Sequence, residues 1–588
     1  MKPTASRNRQ RQHETHLARL YSHRFATQKV MLPYFVLASA LCALVAWLMP
    51  THQPPWASFH AEAAAAVAGV FAVAGMLWRS RSRAWLVPHF AVLASLAALI
   101  PVVQLMGGVI SFLGDATLAS LYLLGFALMQ VAGRFSAEEW SRERALEAFS
   151  WLVLVGALAS MWLALYQWQQ LDYLGEIASD LAGMRPYANL NQPNHLATLL
   201  VLGLIATACL FDLAKIGPVP ALLLVAAFGL GLAMTQSRAG VLEVLVAGVL
   251  LIVKRRALIH RLAVRHALTG AGLVLGSVLL WPLAGAFMDH ETGRDLVAMT
   301  NTGTRATHWI SMVDAMFRHP WWGFGWNGTL AAQFTVAAAH PATHEALEYS
   351  HNLLLDLWVW NGLVVGSIIA AGVGFWFWVS IRQARDSTTL LALAGVCAVF
   401  SHALVEYPLY YLYFLLPSGF LAGVVSAGTA PRRELWAPVW LLWMLLGIFC
   451  LAIGVILSDY LGLERDMYIL RFEQARIGLN VVQVKRSNPV LLTQVNALLQ
   501  FARTPERNGM MEEELRSMAK VVKRYPSGPN AVRYAAALAI NNRPAQAMEV
   551  LRPVCKLAVE SKCSAMKELW TSLGSRNVGL AKVPWPDD

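Results

Sequence analysis

WAPVWLLWMLLGIFCLAIGVILS, residues 436–458, is a run of 23 residues without a charged side chain. About 20 consecutive apolar residues carry an α-helix across the hydrocarbon core of a bilayer. The stretch therefore predicts a membrane-spanning helix. The same criterion, applied outward from this run, finds twelve further candidate spans between it and the N-terminus.

Apolar runs of this kind alternate with short polar segments along most of the chain. Several of the runs are short, so the total of thirteen could change by one or two. The predicted fold class is an all-α polytopic membrane protein with about 12–13 transmembrane helices. The candidate spans are 30–49, 61–78, 84–106, 116–133, 147–168, 195–213, 218–234, 239–253, 267–288, 352–380, 389–405, 408–427 and 436–458.

The overall composition agrees with a membrane protein. Of the 588 residues, 57% are hydrophobic and 14% are charged, whereas a soluble domain is about half apolar and about a quarter charged. This excludes a soluble globular enzyme. The net charge of +12 lies in short basic clusters between apolar runs, which is typical of topology signals. We therefore expect membrane lipid, and no nucleic acid, as a partner.

The basic residues between the spans predict an orientation. With the N-terminus in the cytoplasm, the inner segments up to position 458 hold 23 Lys and Arg residues, and the outer segments hold 5. Cytoplasmic loops carry an excess of Lys and Arg. The pattern therefore predicts a bacterial inner-membrane protein with a cytoplasmic N-terminus and a periplasmic C-terminal region.

Three regions follow from this topology. Residues 1–29 are basic, lack an apolar core and form a cytoplasmic N-terminus rather than a cleavable signal peptide. Residues 30–458 form a multi-span transmembrane domain, in which 289–351 is a large periplasmic loop of a length that is uncommon unless functional. Residues 459–588 form a periplasmic helical domain, because apolar residues recur there at three- and four-residue spacing.

Two features of this last region leave alternatives open. Residues 530–539 look like one helix of a paired-helix, possibly TPR-like, repeat, although no second copy is obvious. Cys555 and Cys563 could form a disulfide in an oxidising compartment. The other four cysteines lie in apolar runs, where free cysteine behaves as a small hydrophobe. No CxxC pair is present, so the sequence does not indicate a zinc site.

Polar residues gather in four patches at the outer membrane boundary. The first, RPYANLNQPNH at 185–195, is either a hydrated loop in which Asn194 caps the following helix or the lining of a site. The second, TQSRAG at 235–240, contains Arg238, whose planar fork suits phosphate oxygens. The alternative role of Arg238 is an interfacial side chain that reaches toward lipid headgroups.

The other two patches lie in and after the long outer loop. The third contains Arg305 and the aromatic run HPWWGFGWN at 319–327, whose tryptophans either form a membrane-interface belt or stack on sugar rings. The fourth is EYSHN at 348–352, together with His402 and the sequence EYP at 406–408. A histidine titrates near neutral pH and is the commonest general base, although a histidine at a membrane boundary can also be purely structural.

Together the patches suggest one chemistry. Fixed arginines stabilise the negative charge that develops when a sugar leaves a lipid diphosphate, and a base such as His351 activates the attacking hydroxyl. The outer side carries neither paired carboxylates nor a metal-ligand cluster, so the sequence favours neither a glycosidase nor a metal site. The hypothesis requires the four patches to converge in space.

The same residues resemble a known family. The run PYANLNQPNHLAT at 186–198 resembles the signature of the PglL-like bacterial protein O-oligosaccharyltransferases. EYSHN at 348–352 resembles the histidine motif of the wider O-antigen ligase and polymerase (WaaL/Wzy) superfamily. Arg305 and the 319–325 stretch are similar to that superfamily's long periplasmic loop. The order of motifs matches along residues 180–425, whereas the first 170 residues match only in hydropathy.

The resemblance implies a GT-C-like catalytic domain at 30–458. It implies inverting transfer of a whole glycan from an undecaprenyl-pyrophosphate carrier to Ser or Thr of an exported, pilin-like protein, without a metal or other cofactor. By the resemblance, His351 acts on the acceptor hydroxyl, while Arg185, Arg238 and Arg305 contact the pyrophosphate. Further site candidates are Gln192, Asn194, His195, Glu348, Asn352, His402, Glu406 and Tyr407.

Other functions remain open at this point. An O-antigen ligase, with lipid A core as acceptor, or an O-antigen polymerase would use the same donor, and the outer helical region argues mildly for a protein acceptor instead. A transporter or lipid flippase would bind its substrate near the bilayer midplane. Glu243 and Asp356 are the main acidic candidates within the spans. The one-sided patches and the lack of an inverted repeat disfavour transport.

Overall fold

The computed structural model describes residues 33–171, 175–181, 183–287, 303–429, 435–477 and 486–586, which are mainly helical. Up to residue 303 the helices are α1 Pro33–Leu48, α2 Phe59–Arg79, α3 His89–Ala97, α4 Ile100–Met106, α5 Leu113–Trp140, α6 Arg142–Trp168, α7 Pro193–Asp212, α8 Pro218–Thr235, α9 Arg238–Val253 and α10 Val264–Phe287. They are followed by α11 Arg305–Arg318, α12 Thr329–Val336, α13 Leu353–Gln383, α14 Ser387–Ala403, α15 Leu412–Ala427 and α16 Val439–Ala475.

The C-terminal region adds seven helices among the described residues. They are α17 Thr493–Arg503, α18 Glu512–Arg524, α19 Gly528–Ile540, α20 Pro544–Leu551, α21 Val554–Leu557, α22 Glu560–Gly574 and α23 Val578–Ala581. Short 3-10 turns occur at Arg255–Ala257, Ala337–Ala339 and Pro408–Tyr410. The apolar spacing predicts helices at 488–503, 511–524, 529–541 and 544–556. They are present as α17, α18, α19 and the pair α20 and α21, with boundaries that shift by up to five residues.

Within the described residues, nine helical segments are long and apolar enough to cross a membrane, so the chain is a multi-pass membrane protein. These segments coincide with nine of the thirteen predicted spans. The other four predictions fall on α1, α9, α14 and α15, each of which has fewer than 18 residues. A helix of 16 residues extends only about 24 Å, less than the hydrocarbon thickness of roughly 30 Å. The predicted cytoplasmic segment 1–29 and positions 289–302 of the predicted outer loop lie outside the described residues.

One of these short helices lies at the centre of the bundle. All residues of α14, from Ser387 to Ala403, are buried. It packs against α7, α9 and α15, which begin in or next to three of the four polar patches. The packing of α14 therefore brings the ends of distant segments together.

Two predicted spans begin in strands rather than helices. Ala84–Leu86 forms β1 and Trp436–Pro438 forms β2, and the two pair antiparallel with Trp85 opposite Ala437. Prolines immediately precede α3 and α16. Proline has no N–H to donate and is well tolerated at a helix start, so the apolar residues before it can pair as strands.

The outer part of α13 is a separate short helix. Gly362 interrupts α13 with φ +74°, a left-handed conformation that glycine adopts without steric cost. The carbonyls of Val359 and Trp360, next to this break, accept hydrogen bonds from the N–H groups of Phe324 and Gly325 at 2.8 and 3.1 Å. Because the loop after α11 satisfies these carbonyls, the helix can break without leaving buried groups unpaired.

Asp356 lies in this outer segment, six residues before the break. Asp356 stays within the candidate span Leu353–Gln383, close to its outer end. Its Oδ1 accepts hydrogen bonds from Ser350 N at 3.0 Å and from Thr329 Oγ1 at 2.8 Å. Asp356 therefore holds the segment around His351.

The contacts between distant segments described next join residues that are predicted to lie on the same side of the membrane. On the side predicted to be cytoplasmic, ion pairs join Arg142 to Asp386 at 2.8 Å and Lys215 to Glu147 at 2.9 Å. At the opposite end, Asn194 reaches Glu406. The tertiary contacts thus place the polar residues of the two predicted sides at two different ends of the bundle. This grouping agrees with the one derived from the 23-to-5 distribution of Lys and Arg.

The C-terminal helices pack on the membrane part of the chain. The predicted boundary at residue 458 falls inside α16, which continues to Ala475. Arg524, at the end of α18, forms an ion pair of 2.9 Å with buried Asp115 of α5. The hydroxyl of Thr493 accepts a hydrogen bond from Gly114 N at 3.3 Å. The start of α5 is therefore one docking point of this region.

A disulfide lies beside a second docking point. Cys555 and Cys563 are bonded to each other, one of the alternatives that the sequence left open. Within the loop they close, the carbonyl of Lys556 accepts hydrogen bonds from the N–H groups of Thr343 and His344, both at 3.0 Å. The C-terminal region thus holds the outer loop a few residues before His351.

Candidate active site

His351 lies in a tight turn that several neighbours support. Its φ of +56° is uncommon for a residue with a side chain, and such conformations persist where the surroundings determine them. Ser350 is held by Asp356, and the carbonyl of Ser350 accepts a hydrogen bond from Trp309 Nε1 at 2.8 Å. Asn352 then caps α13 by accepting hydrogen bonds from the first N–H groups of that helix.

The carboxylate of Glu406 joins His351 to Arg305. Nδ1 of His351 lies 2.7 Å from Oε2 of Glu406, and Nη2 of Arg305 donates to Oε1 of the same carboxylate. Glu406 is 4% exposed. Burial alone would favour the neutral acid, but the hydrogen bond from His351 and the charges of His351 and Arg305 outweigh it and lower the pKa of Glu406 to about 2.

The first patch joins the same network through Asn194. Its Nδ2 donates to Oε1 of Glu406 at 3.0 Å, and its Oδ1 accepts from Nη2 of Arg185 at 3.2 Å and from Oγ of Ser237 at 2.8 Å. The expectation that Asn194 caps α7 is wrong, because the cap is Gln192, whose Oε1 accepts from the N–H groups of the first turn. Capping by Gln192 leaves the Asn194 side chain available for these contacts.

Arg238 occupies the first position of α9. Ser237 before it is the N-cap and donates to Asn194, so the second patch contacts the first. Arg238 is half-buried at this helix N-terminus, where backbone N–H groups also favour a bound anion. The structure thus brings residues of all four patches together: Asn194, Ser237, Arg305, and His351 with Glu406.

Tyr407 packs against the ring of His351. The centroids of these two rings are 5.0 Å apart, and the ring of Tyr349 stacks on Tyr407 with a centroid distance of 4.8 Å. Burial raises the pKa of Tyr407 to about 12, with the charge of Glu406 adding to the shift. Tyr407 therefore stays protonated at neutral pH, and its position suits it to orient His351.

His195 and His402 lie in a buried layer beneath this network. Nδ1 of His195 is 3.2 Å from the hydroxyl of Tyr413. Nδ1 of His402 is 2.6 Å from Oγ1 of Thr198, which also donates to buried Glu243 at 2.7 Å. Both histidines are fully buried, so the geometry assigns them to the support of α7, α9 and α14 rather than to the exposed part of the site.

The remaining candidates lie at the edge of the site. The side chain of Glu348 is exposed to solvent three residues before His351. Trp321 and Trp322 are 71% and 62% exposed, as expected for aromatic residues at a membrane interface. Trp326 is half-buried and packs against Trp360 at 5.3 Å, so it belongs to the loop that covers the break in α13.

His308 is a site residue that the sequence patterns did not indicate. It is fully buried on α11, one turn after Arg305. Burial lowers the pKa of His308 to about 4, and the charge of His351 contributes to the shift. Its spacing of three residues from Arg305 places both on the same side of α11, and this helical spacing was the signal that could have identified it.

His351 also lines a large cavity of about 790 Å³. Gln192 and Tyr407 line the same space, which continues inward between apolar residues of α3, α5 and α13. Its outer wall includes Arg524, Tyr525 and Gln494 from the C-terminal region. The sequence carried no signal for these three residues, which are far from His351 along the chain.

Comparison with known families gives three matches along the chain. The family "Protein glycosylation ligase" matches residues 186–211, and "O-Antigen ligase" matches residues 222–370. "Virulence factor membrane-bound polymerase, C-terminal" matches residues 389–561. Together these regions contain Asn194, Ser237, Arg305, His351 and Glu406, whereas Arg185 lies one residue before the first match.

Two relatives from Acinetobacter baylyi extend the comparison. The ComP-specific O-oligosaccharyltransferase is 27% identical over 325 residues, which are 55% of this chain and 59% of the relative. The general O-oligosaccharyltransferase is 30% identical over 534 residues, which are 87% of this chain and 90% of the relative. No solved structure matches the chain. Because the likeness to the general enzyme extends over nearly the whole of both proteins, the chain belongs to the PglL-like O-oligosaccharyltransferases of the O-antigen ligase superfamily and is a membrane glycosyltransferase.

Proposed function

We propose that the enzyme transfers a glycan en bloc from an undecaprenyl-pyrophosphate carrier to a Ser or Thr hydroxyl of an exported, pilin-like protein. The contact that carries this proposal is the carboxylate of Glu406, which binds His351 on one side and Arg305 on the other. It holds a base next to a cation, the combination that transfer from a diphosphate requires. The names of both relatives, O-oligosaccharyltransferases, support a glycan transfer of this kind.

His351 is the base in this proposal. Glu406 is ionised at neutral pH because its pKa is about 2, so it accepts a hydrogen bond from Nδ1–H of His351 and fixes that tautomer. The lone pair is then on Nε2, which faces away from the carboxylate. Nε2 takes the proton of the acceptor hydroxyl as the hydroxyl oxygen attacks the anomeric carbon.

The arginines act on the leaving group. As the bond between the anomeric carbon and the phosphate oxygen breaks, its electron pair stays on the pyrophosphate. In this proposal Arg185, Arg238 and Arg305 contact this group and stabilise its growing charge. Direct displacement inverts the configuration at the anomeric carbon. Because guanidinium groups supply the positive charge, the mechanism requires no metal ion.

The same proposal includes a cellular arrangement. The excess of Lys and Arg on one side supports an inner-membrane protein whose site and C-terminal helices face the periplasm. The tertiary contacts keep the polar residues of the two predicted sides at opposite ends of the bundle. The periplasm contains exported proteins, and it is an oxidising compartment compatible with the Cys555–Cys563 bond.

A reconstitution in a bacterial host tests the function. The host assembles a lipid-pyrophosphate-linked glycan and lacks its own ligase. It expresses this enzyme, or its His351→Ala form, together with a pilin-type acceptor, and the mass of the acceptor is measured alongside the lipopolysaccharide. We expect glycan on the acceptor only with intact His351. His260→Ala, which changes an exposed histidine in a predicted cytoplasmic loop, is the matched control and should transfer normally.

The readout also separates the alternatives. Glycan on lipid A core instead of on protein would make the enzyme an O-antigen ligase, the activity named by the match at residues 222–370. Transfer to the acceptor by the His351→Ala form would contradict the assignment of the base. Transfer to neither acceptor would contradict the proposed function.

A further inference from the structure

The two sides of the His351 ring have different surroundings. On the Nδ1 side, Glu406 binds the ring with one carboxylate oxygen and Arg305 with the other. The ring also borders the cavity of about 790 Å³. Inversion requires the attacking oxygen to approach opposite the leaving group. If the arginines hold the pyrophosphate, as the proposed function has it, the acceptor approaches from the cavity.

The C-terminal region supplies part of that cavity's wall. Gln494 of α17 is 4% exposed, lines the cavity, and its Oε1 has no hydrogen-bond partner among the described residues. A buried amide oxygen without a partner costs free energy. In this structure the oxygen lies against the backbone of Gly114, and rotation of the amide about its terminal torsion would turn it toward an N–H group of a bound molecule.

Arg524 and Tyr525 lie on the same wall. Arg524 donates its Nε–H to Asp115, which also lines the cavity. A guanidinium carries five N–H donors, so its Nη groups can still donate to carbonyl oxygens. The wall therefore offers both an acceptor and donors, which matches the alternating N–H and C=O groups of an extended peptide.

We propose that this cavity binds the segment of the acceptor protein that carries the hydroxyl, with Gln494, Arg524 and Tyr525 as its contacts from the C-terminal region. The inference rests on the proposed function and deepens it. The C-terminal helices then form part of the acceptor site itself, and their docking on Asp115 completes that site.

Photo-crosslinking tests the proposal directly. Tyr525 is replaced by benzoylphenylalanine in the full-length enzyme, in a His351→Ala background, and membranes are irradiated with a pilin-type acceptor and the lipid-linked glycan. Tyr534, which packs against the core of the C-terminal helices, is the matched control position. Crosslinking requires binding but no transfer, so its result does not depend on whether the proposed catalysis is correct.

An adduct between position 525 and the acceptor protein, absent from position 534, supports the proposal. An adduct with the lipid-linked glycan alone would overturn it, because the cavity would then hold the donor's sugars. Absence of any acceptor adduct would also overturn it.

A kinetic variant provides a second test. Gln494→Leu removes the amide while keeping a side chain of similar size, so the fold should tolerate it. We expect the KM for the acceptor to rise about tenfold, as for the loss of one hydrogen bond, with the KM for the donor unchanged. A rise in the donor KM instead, or no change in either, would contradict the proposal.

Discussion

Glu406 Oε2 lies 2.7 Å from Nδ1 of His351, although 55 residues separate the two in the chain. Glu406 follows α14, and His351 precedes α13. Their contact fixes which ring nitrogen carries the proton, and the same carboxylate also binds Arg305. Glu406 therefore couples the proposed base to the proposed donor-binding arginines.

The charge of Glu406 should matter for the rate of transfer. Glu406→Gln keeps the shape but cannot hold the Nδ1–H tautomer as strongly, so we expect kcat at neutral pH to fall by about 10- to 100-fold. The measurement is the initial rate of acceptor glycosylation. Glu138→Gln, which removes an ion pair with Arg134 at the other end of the bundle, should leave the rate unchanged.

The same carboxylate should make stability depend on pH. The pKa of Glu406 falls from 4.5 to about 2 on folding, so its contribution to the free energy of unfolding is complete above about pH 4.5 and is lost as the pH falls toward 2. We expect the difference in Tm between wild type and Glu406→Gln to shrink as the pH falls below about 4.5. A difference that grows on acidification would contradict the assigned direction.

Arg305 and Glu406 should be energetically coupled. Arg305→Ala leaves a buried carboxylate with one cationic partner fewer, and Glu406→Gln leaves Arg305 without its carboxylate. Each single change leaves one partner without its counterpart. The loss of unfolding free energy in the double variant should therefore be smaller than the sum of the losses in the two single variants, with a coupling energy of about 0.5–3 kcal/mol. Thermal unfolding of the four proteins measures it, and simple additivity would refute the interaction.

The break in α13 should require glycine. A Cβ at Gly362 would lie 2.4 Å from the carbonyl oxygen of Trp321, and its φ of +74° strains any other residue. Gly362→Ala should therefore lower Tm by several degrees and reduce transfer, because the His351 turn depends on this segment. Gly374→Ala in the same helix, where a Cβ meets no described atom within 4 Å, is the control and should be neutral or slightly stabilising.

The disulfide should order the outer loop. Replacing Cys555 and Cys563 by Ser loosens the loop whose Lys556 carbonyl binds the N–H groups of Thr343 and His344. Hydrogen exchange at these two amides should become faster, since local opening controls exchange. The amide of Phe324, which donates to a carbonyl of α13 at 2.8 Å, should exchange as before. Unchanged exchange at 343 and 344 would show that the disulfide does not order this loop.

Some features followed from the sequence because they depend on local composition. The free energy of transferring an apolar run such as 436–458 into hydrocarbon depends on the residues of that run. The side of the membrane on which a loop lies is predicted from the Lys and Arg residues of that loop. The helices at 512–524 and 528–540 were visible in apolar spacing. The motif EYSHN identified His351 as a candidate base from five consecutive residues.

Features that depend on contacts between residues distant in the chain could not be predicted from the sequence patterns. Gln192 rather than Asn194 caps α7, Gly362 breaks α13, and Asp356 binds the N–H group of Ser350 next to His351. A hydrophobic pattern reports that a segment is buried, but not which carbonyl a broken helix exposes or which loop satisfies it.

The sequence alone thus determined a many-span membrane protein with its polar chemistry on one side and His351 as the candidate base. Only the tertiary structure decided that Glu406 joins His351 to Arg305, and that Arg524 and Gln494 wall the same cavity. The reason is physical. Insertion into a bilayer is a property of each segment, whereas the partners of a buried polar group are chosen by the packing of helices that are distant in the chain.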